Sequence, residues 1–376
     1  MSVTSPLFLS LRDVRFCAGR FSLMGAVVAL ITLLLVFLTA LTNGLAHQNV
    51  SAVLAWDEAG TTAAGAEPVE VTVVFGAAHA ASADDVETSF TASTVDAGQL
   101  AAWRDDDRVR WAEPVGIGQA RADSGTAVTS VTLVGLEPGS RLAPGELGGG
   151  ARISASAAGQ LGVGPGDGIS VNGREVPVAE VTEDQWYSHT PVVWLPLTTW
   201  SSLTHAGQGA ATVLVAGTDA DAGQAPVAAE RTATVATDLR ESLSALPSYS
   251  SENGSLVMMQ AFLYGISALV IAAFMAVFTL QRTRDIAVLK ALGATTGWVV
   301  RDALAQASVV LLCGASAGAV LGVAGLLLAG QAVPVQLDAG AVVLPVALTL
   351  GLGLAASVAA VWRSCRVDPL VALGGS

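Results

Sequence analysis

Hydrophobic and polar positions follow two different rhythms along this chain. In four windows charge almost vanishes: about 21–41 (FSLMGAVVALITLLLVFLTAL), 257–280 (VMMQAFLYGISALVIAAFMAVFTL), 303–329 and 341–362. At a rise of about 1.5 Å per residue, twenty-odd residues cover the roughly 30 Å hydrocarbon layer of a bilayer. The windows predict four membrane-spanning helices, bounded as 21–45, 256–281, 303–330 and 341–362, with a short loop at 331–340. The first apolar run is too long for a signal peptide, and no small-residue cleavage site is obvious. Ahead of it, residues 1–20 carry Leu7, Leu11 and Val14 at i, i+4, i+7 with Arg12 and Arg15 beside them. That is the pattern of an interfacial amphipathic helix lying on lipid.

Between the first two spans the rhythm changes to a period of two. VEVTVVF (69–75) places Val69, Val71, Val73 and Phe75 on one face, as a half-buried strand does. In ISVNGREVPVAEV (169–181) the pair Asn172-Gly173 separates two β-rich runs, a hairpin signal. TSVTLVG, PVVWLPL and ATVLVAG add short strands, while the alanine-rich and acidic patches of 77–127 read as helices or loops. The expected fold is an α-helical integral membrane protein with four transmembrane helices and a large α+β domain, 46–255, inserted between helices 1 and 2.

Composition and charge set the orientation. The chain is 52% hydrophobic and 13% charged, with mean hydropathy +0.59. Its formal charge of −13 argues against nucleic acid as a partner. Arg12, Arg15 and Arg20 precede the first span; Arg282, Arg284, Lys290 and Arg301 lie between the second and third; Arg363 and Arg366 follow the fourth. The positive-inside rule then places both termini in the cytoplasm and the 46–255 domain outside. In the third span Gly314, Gly318 and Gly322 recur every four residues, a column that lets another helix approach closely.

The cytoplasmic segment 282–302 holds Lys290, the single lysine of the chain. Ile286, Leu289 and Leu292 recur at helical spacing, Arg284, Asp285 and Lys290 surround them, and Gly293 is a helix stop. A phosphate-binding loop needs G-x-x-x-x-G-K-[S/T], and Lys290 sits between Leu289 and Ala291, so this chain supplies no such loop. It is expected to be a non-enzymatic membrane subunit.

RTRDIAVLKALGAT resembles the cytoplasmic signature of MacB/FtsX-type ABC-transporter permeases. RSCRVDPLVAL, in the C-terminal segment 363–376, resembles their closing segment, and ISASAAGQLGVGPGDGISVNGREVPVAEV their extracytoplasmic core domain. The opening LFLSLRDVRFCAGRFSLMGAVVALITLLLVFLTALTNGLAHQNVSAVLAW is most like the haem-exporting, HrtB-type branch. The resemblance implies a homodimeric permease of the cell membrane working with two copies of a separate ATPase subunit, which binds ATP and Mg. It also implies that Arg284, Asp285, Leu289, Lys290 and Gly293 form the helix that docks on that ATPase, and that haem is the transported ligand. Two other roles stay open: an FtsX-like mechanical regulator of an extracellular hydrolase, and an exporter of peptide, drug or lipoprotein.

Haem needs an apolar slot with His, Met, Tyr or Cys ligands. His47 and Glu58 share a face with Ser51 and Leu54 if helix 1 continues that far. Met258 and Met259 stand at the outer end of span two, followed by a polar stripe of Gln260, Tyr264 and Ser267. His47, Glu58, Met258, Met259 and Tyr264 are therefore the candidate ligands. His79, His189 and His205 show no partner in the sequence. The only metal anticipated is haem iron.

Overall fold

The computed structural model describes residues 18–60, 69–77, 80, 82–207, 209–219, 227–281, 295–330 and 333–365. Its first element is α1 (Ala18–Leu54), which tightens into a 3-10 turn over Ala55–Gly60. β1 (Glu70–Phe75) leads through α2 (Ala97–Arg104) to the long β2 (Val109–Asp123) and β3 (Val128–Leu136). β4 (Ala151–Ser154), α3 (Ala155–Leu161), β5 (Gly168–Val171), β6 (Arg174–Thr182), β7 (Trp186–Tyr187) and β8 (Thr190–Pro196) come next. After them run α4 (Leu197–Thr204), β9 (Val213–Thr218), α5 (Val227–Arg231), β10 (Val235–Asp238) and α6 (Leu239–Ser242). Three long helices close the order: α7 (Pro247–Gln281), α8 (Thr296–Ala329) and α9 (Ala339–Cys365). α1, α7, α8 and α9 are each long and apolar enough to cross a membrane, as the four windows predict. The chain divides into two units, one of residues up to Gly44 and from Gly254 onward, the other Leu45–Asn253.

In the Leu45–Asn253 unit the strands run in the order β10-β1-β9-β2-β3-β8-β4-β6-β5, with β7 on β8 and a further pairing of β2 with β5. That last pairing closes β2-β3-β8-β4-β6-β5 into a ring. Inside it lie Val131, Leu133, Ile153, Ile169, Val171, Val193 and Leu195, with Trp200 of α4. β2 belongs to both halves: Val109–Val115 pair with β9, and Gly116–Asp123 pair with β3. The interval 77–127, expected to hold helices or loops, does hold α2, but its second half is corrected to this fifteen-residue strand. Pro114, Gly116 and Gly118 had masked it, because proline and glycine ordinarily interrupt strands. The glycines have a packing reason: a Cβ on Gly116 would stand 2.4 Å from Trp200 Cδ2, and one on Gly135 2.5 Å from Trp200 Cβ.

β1 corrects a second expectation. Val71, Val73 and Phe75 face one core, as the alternation predicts. The opposite face is buried too, with Val74 packed beside Trp103, Leu214 and Ala228. α2 and α5 cover that side, so the strand lies between two apolar layers and is not half-exposed. The Asn172-Gly173 hairpin forms as predicted: Val171 pairs with Arg174, and both turn residues have positive φ, +50° and +79°.

In the other unit α8 lays its glycine column on α1. A Cβ on Gly314 would meet the Gly25 carbonyl oxygen at 2.8 Å, one on Gly318 the Ala29 oxygen at 2.3 Å, and one on Gly322 Val36 Cγ1 at 3.2 Å. Met24 and Val28 of α1, Ile271 of α7 and Ala307, Val310, Leu311 and Ala315 of α8 form one cluster, against which Val346, Leu350 and Leu354 of α9 pack.

Candidate functional site

The sequence-predicted residues fall into three groups. Arg284, Asp285, Leu289, Lys290 and Gly293 lie outside the described residues, as do the first seventeen residues and those from 366 on. Met258 and Met259 are exposed on α7, and Tyr264 is half-buried one to two turns further along it. His47 and Glu58 belong to the other unit, where His47 is half-buried and Glu58 exposed. The shared face expected for His47 and Glu58 required α-helical geometry throughout. It stops at Leu54, and Glu58 sits in the 3-10 turn, where three residues per turn shift its direction. The polar stripe on α7 also divides: Gln260 Nε2 donates to Thr42 Oγ1 of α1 at 3.1 Å, while Ser267 is fully buried.

A polar cluster that the sequence did not announce stands where α1 and α7 enter the Leu45–Asn253 unit. Val50 and Val53 at the end of α1 and Trp56 in the 3-10 turn belong to the same core as Phe75, Leu136, Trp194 and Val215, and so do Leu243 and Leu246 just before α7. Beside this apolar root, Asn49 is buried, and its Nδ2 donates to Glu252 Oε2 of α7 at 2.9 Å. Its Oδ1 accepts from Ser248 Oγ, one helical turn away, at 2.8 Å. His189 Nε2 lies 3.0 Å from both carboxylate oxygens of Glu252 and 3.0 Å from Asn49 Nδ2. With its proton on Nε2, the imidazole donates to the carboxylate.

The hairpin carrying His189 is fastened to α1 through its backbone as well. Ser188 N donates to Asn49 O at 3.0 Å, His189 N to Gln48 O at 2.8 Å, and Trp186 N to Ser51 Oγ at 2.8 Å. Ser188 Oγ reaches Ser248 Oγ at 3.0 Å. Tyr187 pairs with Thr190, leaving Ser188 and His189 as the two turn residues, at φ +47° and +62°. For non-glycine residues this left-handed region costs about 1 kcal/mol or more each, and it persists where surrounding contacts over-determine it. Here they do. His189, without a partner in the sequence, thus has the Glu252 carboxylate, His205 closes α4 in the left-handed region, and His79 lies outside the described residues. Tyr187, beside this turn, packs edge-on to Phe90, and burial raises its phenol above the usual range.

Comparison with known proteins adds what the chain is similar to. Residues 257–369 match the family described as FtsX-like permease C-terminal. The chain is 31% identical over 134 residues to a protein of Staphylococcus epidermidis named as a hemin transport system permease, HrtB, covering 35% of this chain and 37% of that one. It is 35% identical over 121 residues to an uncharacterized ABC transporter permease of Mycobacterium bovis, covering 32% and 34%. The match thus spans just over a third of the length of these relatives. Among solved structures, the extracellular domain of the noncanonic ABC-type transporter YknZ from Gram-positive bacteria aligns with a TM-score of 0.35 at 14% identity, over 45% of this chain and 100% of that domain. The periplasmic region of MacB from Actinobacillus actinomycetemcomitans aligns with a TM-score of 0.34 at 11% identity, over 46% and 90%. The match over residues 257–369 contains the 282–302 segment and the first part of the closing segment on which the resemblance was read.

Proposed function

We propose that this chain is the permease subunit of an ATP-driven exporter that moves haem from the membrane to the outside. The observation that carries the reading is the 31% identity with the staphylococcal protein named for hemin transport. Two copies of the chain pair in the cell membrane, with both termini cytoplasmic and the α+β domain outside. A separate ATPase, also in two copies, binds ATP and Mg and engages the 282–302 segment. Arg284, Asp285, Leu289, Lys290 and Gly293 form the docking helix. Closure of the ATPase pair is delivered through that helix to α7 and α8, and differential contacts in the two states expel a flat apolar ligand. His47, Glu58, Met258, Met259 and Tyr264 are the candidate haem contacts; accessible thioethers on Met258 and Met259 and a half-exposed imidazole on His47 suit that task.

The test is direct. Protein purified after growth with haemin is expected to carry a Soret band that weakens when His47, Glu58, Met259 or Tyr264 is replaced. Deletion of the gene is expected to make cells haem-sensitive. Lys290→Glu is expected to reduce export and ATPase stimulation more than membrane insertion. No Soret band and no haem sensitivity would remove haem as cargo. Because the matching family description names FtsX and no cargo, a mechanical regulator of an outside hydrolase is the second reading. It predicts loss of hydrolase activity in the deletion, with no transported compound.

A further inference from the structure

We infer that Asn49, His189 and Glu252 form a clamp that makes α1, α7 and the β7–β8 turn move as one body. Their role is to position the ends of two membrane helices for the transport cycle. This rests on the permease reading above.

The geometry is specific. Asn49 uses both ends of its amide on α7: Nδ2 donates to Glu252, and Oδ1 accepts a hydrogen bond from Ser248 on the neighbouring turn. One amide bridging two successive turns fixes both the separation of the helices and their register, because sliding by one residue would break both bonds. His189 locks the carboxylate from the third side. Its own backbone is held in a left-handed turn by the carbonyls of Gln48 and Asn49. The Asn49 side chain is 1% exposed as a residue, so water does not compete freely for it. Around this polar centre, Val50, Val53, Trp56 and Leu246 are built into the sheet core. A displacement of α7 along its axis must therefore carry α1 and the sheet, or break a part-buried, charge-assisted network centred on the buried Asn49.

An exchange across the helices tests this on the full chain with its partner ATPase. Asn49→Asp alone sets two carboxylates against each other and is expected to reduce both thermal stability and ATP-driven export, export by about tenfold. Asn49→Asp combined with Glu252→Gln moves the carboxylate to α1 and the amide to α7, and His189 keeps an anionic partner. The double variant is expected to regain melting temperature and most of the export. Recovery of stability without export would overturn the positioning role and leave only a structural contact. Recovery of neither, or an undamaged Asn49→Asp variant, would overturn the clamp itself. A wild-type chain that neither exports haem nor stimulates an ATPase would refute the permease reading and the positioning role with it. The melting temperatures of the same four proteins would still decide whether the clamp exists.

Discussion

Gly318→Ala isolates the closeness of the α1–α8 contact better than any larger change. The added Cβ would stand 2.3 Å from the Ala29 carbonyl oxygen and 2.9 Å from Thr32 Cβ. The oxygen belongs to backbone, so no rotamer change relieves it, and the helices must part by roughly 1 Å to reach ordinary contact. Overpacking of this kind costs about 1–3 kcal/mol. Alanine's better helix propensity returns about 1 kcal/mol at most. The net expectation is a loss of about 0–2 kcal/mol, against a gain of up to about 1 kcal/mol where the added methyl meets nothing. Gly325, on the same helix, has nothing within 4 Å of its hypothetical Cβ, so Gly325→Ala keeps only the propensity gain. Gly322 is intermediate, because the atom it meets is a valine methyl at 3.2 Å. Thermal unfolding of the purified chain in detergent, followed by intrinsic tryptophan fluorescence, is the assay. The expected order of melting temperatures is Gly325→Ala, then Gly322→Ala, then Gly318→Ala. If Gly318→Ala melts with or above Gly325→Ala, the helices do not approach as described and the packing argument fails.

Three further outcomes are expected. Thr234→Val removes the hydroxyl that accepts from Trp103 Nε1 at 3.1 Å, leaving a fully buried indole N–H unpaired; a loss of about 1–3 kcal/mol in denaturant melts is expected. Tyr187 has a raised pKa in the fold because burial disfavours its phenolate, while an unfolded tyrosine ionises near 10. Its contribution is therefore complete below about pH 10 and declines as pH rises beyond that, so Tyr187→Phe is expected to flatten the alkaline limb of a stability–pH profile. Gly173→Ala forces a side chain into φ +79° in the β5–β6 turn and is expected to cost about 1 kcal/mol, read as a lower melting temperature; no change would mean the turn is not held there.

Much of the architecture follows from local pattern. Four uncharged runs dictate four long helices because unpaired backbone is too costly in hydrocarbon, and no distant residue is needed to decide it. Asn172-Gly173 dictates its own turn, since both residues tolerate positive φ without help. The glycine column on α8 declares a close approach, though not that α1 is what approaches.

Other features were decided only by folding. Whether β1 buries one face or two depends on α2 and α5, which lie elsewhere in the chain. β2 survives its proline and glycines because β9, β3 and the Trp200 ring give each a place. Ser188 and His189 carry no turn signal, and their left-handed backbone exists because α1 supplies the carbonyls that hold it. The polar clamp is the clearest case: Asn49 lies 140 residues from His189 and 203 from Glu252. Periodicity reaches only a few residues along the chain, whereas hydrogen bonds at these separations are set by how helices and sheet pack, and no window of sequence contains them.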